Sequence, residues 1–317
     1  MFKIENKYFG EYVLIELLNM ETGEFVTINK SFGAAIHQIG LRKNNEVMEL
    51  LDTYSSPKKL KDEFPETYKG AKLFPFPNMI KNGRYSFENT FYQLPLNWVE
   101  DGHAIHGFVA DKCFEVIQEN ATQNEAFVIL SYNHIHSEGY PFPFQLTIKY
   151  LLNCEGFTAT TSVLNTGNGS LLLGDGWHPY FNLKDNIHDI YLKIPSANIV
   201  EIDEHFIPTG NMIDNKEHLS FKQVGQQHFD TCFQLDDTTP IAVTTIWNKH
   251  KNTGVNIWQQ TGKCKYNYVL IYTPPGRKSI AIEPMSCQPD AFNNHQHLIT
   301  LQPSAQFEAS FGIQLFS

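Results

Sequence analysis

Short β-prone runs follow one another along nearly the whole chain, each closed by Gly, Pro, Asn or Asp turn chemistry, and helical periodicity hardly appears. Strands at hairpin spacing without crossover helices between them disfavour a parallel α/β sheet and predict antiparallel sheets packed on each other. Residues 113–133 predict two strands around a polar turn at 119–124, and residues 144–168 two more around a turn at 153–156. At the end of the chain Phe307, Ala309, Phe311, Ile313 and Leu315 alternate with Gln306, Glu308, Ser310, Gly312 and Gln314, the period of a strand with one face in a core. Only residues 55–68 predict helix, and Pro57 and Pro65 limit that to a turn or two. No linker, repeat or compositional shift divides the chain, so residues 1–317 are expected to form one all-β domain.

The 34 acidic and 24 basic side chains leave a formal charge of −10, the wrong sign for a nucleic-acid binder. At 42% hydrophobic and 13% aromatic the chain can bury a large core, yet no apolar run approaches the ~18 residues of a membrane span. The first residues show no apolar block of a secretory leader, so a cytoplasmic location is expected. Five widely spaced cysteines form no CxxC pair, and their odd number argues for free thiols.

Phosphate-cradling glycine loops, GxSxG and HExxH are all missing from the sequence. The histidines are more informative. His134 and His136 sit at strand spacing and would share a face, so a third ligand could complete a metal site of the cupin kind. His106 lies in His103-Ala104-Ile105-His106-Gly107, and His178 in Trp177-His178-Pro179-Tyr180-Phe181. Glu283 interrupts the apolar run Ile280-Ala281-Ile282-Glu283-Pro284-Met285, on the face opposite Ile280 and Ile282. A carboxylate there is costly unless used or paired. Because a following proline favours extended backbone, both His178 and Glu283 are expected to be held extended, which suits side chains anchored on a sheet.

These segments, in this order, resemble the aldose 1-epimerase (galactose mutarotase) family. The resemblance rests on Gly70-Ala71-Lys72-Leu73-Phe74-Pro75-Phe76-Pro77-Asn78, on the His106, His178 and Glu283 segments, on Phe229-Asp230-Thr231-Cys232-Phe233, and on Pro289-Asp290-Ala291-Phe292-Asn293. Glu138-Gly139-Tyr140-Pro141 adds to it, and the likeness covers residues 70–293. It implies a large antiparallel β-sandwich with an open sugar-binding cleft, no redox cofactor and no obligatory metal. It further implies that His178 acts as general acid on the ring oxygen of a sugar and Glu283 as base on the anomeric hydroxyl. His106 would hold the anomeric region, and Asp230 and Asn78 would bind substrate. The expected partner is a small-molecule sugar, with no nucleic acid or membrane, and the protein a monomer or weak dimer.

The chemistry asks for such a pair. Interconverting anomers requires the C1–O5 bond to open, C1–C2 to rotate and the aldehyde to be attacked from its other face, so two protons move out and back. Burial among aromatic residues would raise the Glu283 pKa toward the working range. Phe74, Phe76, Trp177 and Tyr180 are candidates to stack on the sugar. One departure bears on specificity: the family commonly has Arg after the Phe-Pro-Asn segment, where this chain has Met79, which can donate no hydrogen bond to a hydroxyl. A mutarotase for a phosphorylated or sulfonated sugar, and a non-catalytic carbohydrate-binding protein on the same fold, are therefore alternatives. The first requires a cation in the cleft.

Overall fold

The structure is a computed structural model, and it describes residues 1–183 and 186–316. Its largest element is a nine-stranded antiparallel sheet. In spatial order the strands are Glu115–Ala121, Glu125–His134, Phe144–Asn153, Gly156–Asn165, Gln306–Phe316, Thr253–Gln260, Ile241–Asn248, Ile190–Lys193 and Lys222–Gln223. A second antiparallel sheet runs Pro208–Asp214, Asn198–Ile202, Asp230–Gln234, Tyr268–Tyr272, Ile280–Met285, Gly176–Trp177 and Lys72–Leu73, with Tyr180–Phe181 also paired to Ile280–Met285. The first five strands, Phe2–Phe9, Tyr12–Asn19, Phe25–Asn29, Ala35–Lys43 and Glu46–Glu49, form a third sheet. The expected large antiparallel sandwich is what the chain forms.

Alternation drives the packing. Phe307, Ala309, Phe311 and Ile313 are buried as their period predicts, and Phe311 lies 5.4 Å from the Trp177 ring of the second sheet. Tyr150 and Phe144 reach across in the same way, to Trp177 and Phe74. Each such aromatic removed from water contributes about 1.5–3 kcal/mol. The second sheet therefore has a core face, carrying Phe233, Val269, Ile271, Ile280 and Ile282, and an outer face. On the outer face a small separate cluster of Val200, Cys232, Tyr268, Leu270 and Met285, with Tyr272, makes an apolar floor.

Both predicted hairpins form. The 144–168 turn falls where expected, between Asn153 and Gly156, but in the other hairpin the strand runs through Glu119, Asn120 and Ala121 before turning. The helix is longer than predicted, spanning Pro57–Thr67. Pro57 occupies the first turn, where its missing N–H is no loss, and Ser56 caps the helix by accepting the Lys59 N–H at 3.2 Å. Pro65 falls in the last turn, where packing of Leu60 and Phe64 among Tyr12, Phe32 and Tyr54 outweighs its local cost. The helix stops at Tyr68, in the left-handed conformation, which places that side chain at the site described next.

Candidate active site

The outer face of the second sheet gathers the residues singled out in the sequence. Residues opposite each other in an antiparallel pair share a face. The register Leu270↔Glu283 and Tyr272↔Ala281, with Asp230↔Tyr272 and Cys232↔Leu270, therefore puts Glu283 and Asp230 on the same side. Tyr180↔Ala281 adds Tyr180, and two residues back along that segment, His178. His178 is held by its main chain from both sides. Its N–H donates to Ala71 O and its carbonyl accepts from Gly70 N–H, while the carbonyl of the next residue, Pro179, accepts from Ile282.

His178 and Glu283 are in direct contact: His178 Nε2 lies 3.3 Å from Glu283 Oε1. Both are buried, at 6% and 1% exposure. Burial lowers the imidazole to about 3 and raises the carboxyl well above its ordinary value, the latter helped by the Asp230 charge. Desolvation thus favours a protonated carboxyl beside a neutral imidazole, with one proton for the two groups. Glu283 Oε2 is buried with no hydrogen-bond partner among the described residues, so its bonding capacity is unspent.

His106 comes from a loop whose backbone is left-handed at both His106 and Gly107. A Cβ at Gly107 would lie 2.0 Å from Phe74 O, so only glycine lets the loop press against that strand. The His106 ring packs edge-on at 5.3 Å from His178 and 4.7 Å from Tyr68. Its Nδ1 accepts the Asn78 N–H at 3.1 Å, which makes Nε2 the protonated nitrogen of a neutral ring and a donor toward the site. Burial, followed by the nearby His178, holds its pKa well below the usual range. Asn78 closes this arrangement by accepting the His106 N–H on its main chain and spending Oδ1 on the Met79 N–H, which leaves its amide NH₂ for a ligand. Asp230 sits at the exposed rim of its strand, and the surrounding wall raises its carboxyl by desolvation. Met79 is buried, pairs with Ile105 and accepts the Asp290 N–H on its carbonyl.

Of the four aromatic candidates, only Tyr180 reaches His178. Phe74, Phe76 and Trp177 all pack into the core, against Phe144, Phe292 and Phe311. Trp177 is adjacent to His178 on extended backbone and so must face the other way. Tyr180 does reach the site, stacked on His178 at 5.0 Å. The sequence reading missed Tyr68 and Tyr272. Tyr272 is raised by burial and then by the Asp230 and Glu283 charges, and its place was legible from strand alternation with Leu270. Nothing in the sequence marked Tyr68. His134 and His136 do not share a face, because the strand ends at His134, which stacks on Phe144 while His136 is exposed. All five cysteines are free; Cys232 and Cys287 are buried and the other three exposed.

Chemically, the site offers an imidazole and a carboxyl in contact, two more polar groups beside them, and an apolar floor. Desolvation is the main cause of the shift at all four groups, with the charge of His178 adding to it at His106 and that of Asp230 at Glu283.

Comparison with known proteins bears on the family and the fold. The model of the family described as Aldose 1-epimerase matches residues 16–314. An Escherichia coli K12 protein named "Uncharacterized protein YihR" is 30% identical over 269 residues, 80% of each chain. Among solved structures, a galactose mutarotase-like protein from Clostridium acetobutylicum superposes with a TM-score of 0.89 at 22% identity, covering 100% of this chain and 99% of the other. A galactose 1-epimerase from Lactobacillus acidophilus gives 0.81 at 17% identity, covering 100% and 98%. At these identities the two structures establish the fold.

Proposed function

Because the chain belongs to the aldose 1-epimerase family, we propose that it interconverts the α and β anomers of a neutral aldose, with Glu283 and His178 as the proton-transfer pair. The observation that carries this reading is the buried 3.3 Å contact between His178 Nε2 and Glu283 Oε1. The two oxygens that exchange protons in a hemiacetal are bonded to one carbon, so the groups serving them must also be neighbours.

In ring opening, the Glu283 carboxylate takes the proton from the C1 hydroxyl, and that O–H pair becomes the second bond of the aldehyde. The C1–O5 bond breaks, and its electron pair takes a proton from the His178 imidazolium. The pair is left as carboxylic acid and neutral imidazole, the form that burial favours. Rotation about C1–C2 turns the other face of the carbonyl toward O5. Closure then returns both protons, so each group works as acid and as base. His106, through Nε2–H, and the Asn78 amide donate to the anomeric oxygens, and Asp230 at the rim accepts from sugar hydroxyls.

A neutral sugar is the simpler reading, because no lysine or arginine among the described residues adds to the charges that shift the four site groups; the far end of the sugar, where a phosphate or sulfonate would lie, is decided by the substrate panel. Polarimetry on freshly dissolved α-aldoses and their 6-phospho and 6-sulfo counterparts tests the proposal. Acceleration is expected with a neutral member. Acceleration confined to the anionic sugars overturns the substrate class, and none with any sugar overturns mutarotation in favour of a binding protein.

A further inference from the structure

On the core side of the same sheet, directly behind the site, Lys72 and Asp175 form an ion pair with no solvent exposure, Nζ to Oδ1 2.5 Å. Lys72 Nζ also donates to Thr161 Oγ1 at 2.8 Å and lies 4.3 Å from the Trp177 ring centroid. Tyr266 OH donates to Asp175 Oδ2 at 2.6 Å and accepts from Trp177 Nε1 at 3.3 Å. Burying two charges is costly, and apolar residues of similar size usually stabilise a fold as well or better.

The location of the pair supplies a reason. Asp175 lies three residues before His178, and Ser286 three residues after Glu283, on neighbouring antiparallel segments. These two are joined twice: Asp175 N–H donates to Ser286 Oγ at 2.8 Å, and Ser286 N–H to Asp175 O at 2.8 Å. Lys72 follows directly on Gly70 and Ala71, the residues that hold the main chain of His178. The strands concerned are two residues long, Lys72–Leu73 and Gly176–Trp177. So few ladder bonds specify register weakly, and a slip of one residue would turn His178 to the other face of the sheet.

We propose that Lys72 and Asp175, together with Ser286, are positioning residues that register these short strands and thereby fix the His178–Glu283 separation. Their titration agrees. In a pair that mainly stabilised the fold, attraction would raise the lysine and lower the aspartate; here desolvation prevails, Lys72 falls to about 8 and Asp175 is raised. Retention of a costly pair for registry is the best-attested use of such groups.

The kinetic part of the test rests on the proposed function; the spectroscopic part does not. Lys72→Met/Asp175→Asn removes both charges at nearly constant volume. It is expected to keep or raise Tm, to lower kcat by about 10²-fold, and to change KM by less than about threefold. The His178 side-chain ¹⁵N signals, assigned by their loss in His178→Asn, are expected to shift while those of His188 stay in place. Ser286→Ala should lower kcat without moving Tm by more than a few degrees, and Ser286→Thr should restore it. A folded double variant with wild-type kcat and unmoved His178 signals overturns the proposal. Should the double variant not fold, Ser286→Ala decides: unchanged kcat and unchanged His178 signals reject the role. Should the wild type accelerate no sugar, mutarotation falls, and movement or constancy of the His178 signals alone supports or rejects the positioning role.

Discussion

A buried carboxyl and a buried imidazole in contact titrate as a unit, and that unit works only while it holds one proton. The acid limb of kcat/KM marks the second proton reaching a neutral His178, whose pKa is lowered to about 3 from 6.5. The alkaline limb marks loss of the proton from a Glu283 raised above 4.5. A bell whose acid limb lies well below pH 6.5 is therefore expected, and an acid limb centred near 6.5 would contradict the buried pair. Asp230, at the rim, should act mainly on binding, since burial rather than its charge is the larger cause of the raised Glu283 carboxyl. Asp230→Ala is expected to raise KM by about 10- to 100-fold, the worth of a hydrogen bond to a charged group, with kcat nearly constant. An unchanged KM with a fallen kcat would move Asp230 into the proton-transfer machinery. Much of this was legible residue by residue. Glu283 broke an apolar run, and His178 stood before a proline in extended backbone. Asp230 and Asn78 were visible only through the family resemblance, since no local pattern says that a rim carboxylate or a loop amide faces a ligand. Strand alternation separates Trp177 from its neighbour His178 and sends it into the core.

At the scale of elements, strand periodicity was a sound guide and local breakers were not. The alternating run of residues 307–315 became the strand expected of it. Pro57 and Pro65 did not shorten the helix, because one sits where a proline belongs and tertiary packing outweighs the other. The left-handed His106-Gly107 step was illegible, since its cause is a backbone approach from Phe74, far along the chain from any local signal. That step carries a prediction. Gly107→Ala forces a Cβ to within 2.0 Å of Phe74 O at a φ of 70°. It is expected to destabilise the protein by more than about 1 kcal/mol and to lower kcat, because the loop must lift His106 out of place. Urea unfolding and initial rates check it; an unaffected kcat would separate His106 from the reaction.

Across the whole molecule, His178 and Glu283 lie 105 positions apart in sequence, and pairing of the second sheet brings them together. The same burial that tunes the site makes the fold acid-sensitive. His37, beside Thr53 and the Phe9 ring, is lowered by desolvation to about 4 from 6.5. A lowered folded-state pKa contributes stability that is present above 6.5 and lost as pH falls through 4. Between pH 7 and 5 wild type should therefore lose about 2 kcal/mol more than His37→Gln, since each pH unit below the unfolded value costs about 1.4 kcal/mol. Equal losses would place His37 in water. The account as a whole depends on one buried proton-sharing pair doing the chemistry. Exchange NMR between the α and β anomer signals of an accelerated aldose measures this directly, with wild type, Glu283→Gln and His178→Asn compared at equal folded concentration. The predicted result is an exchange rate lowered by about 10²- to 10⁴-fold in each variant. Near-wild-type exchange in either would contradict it.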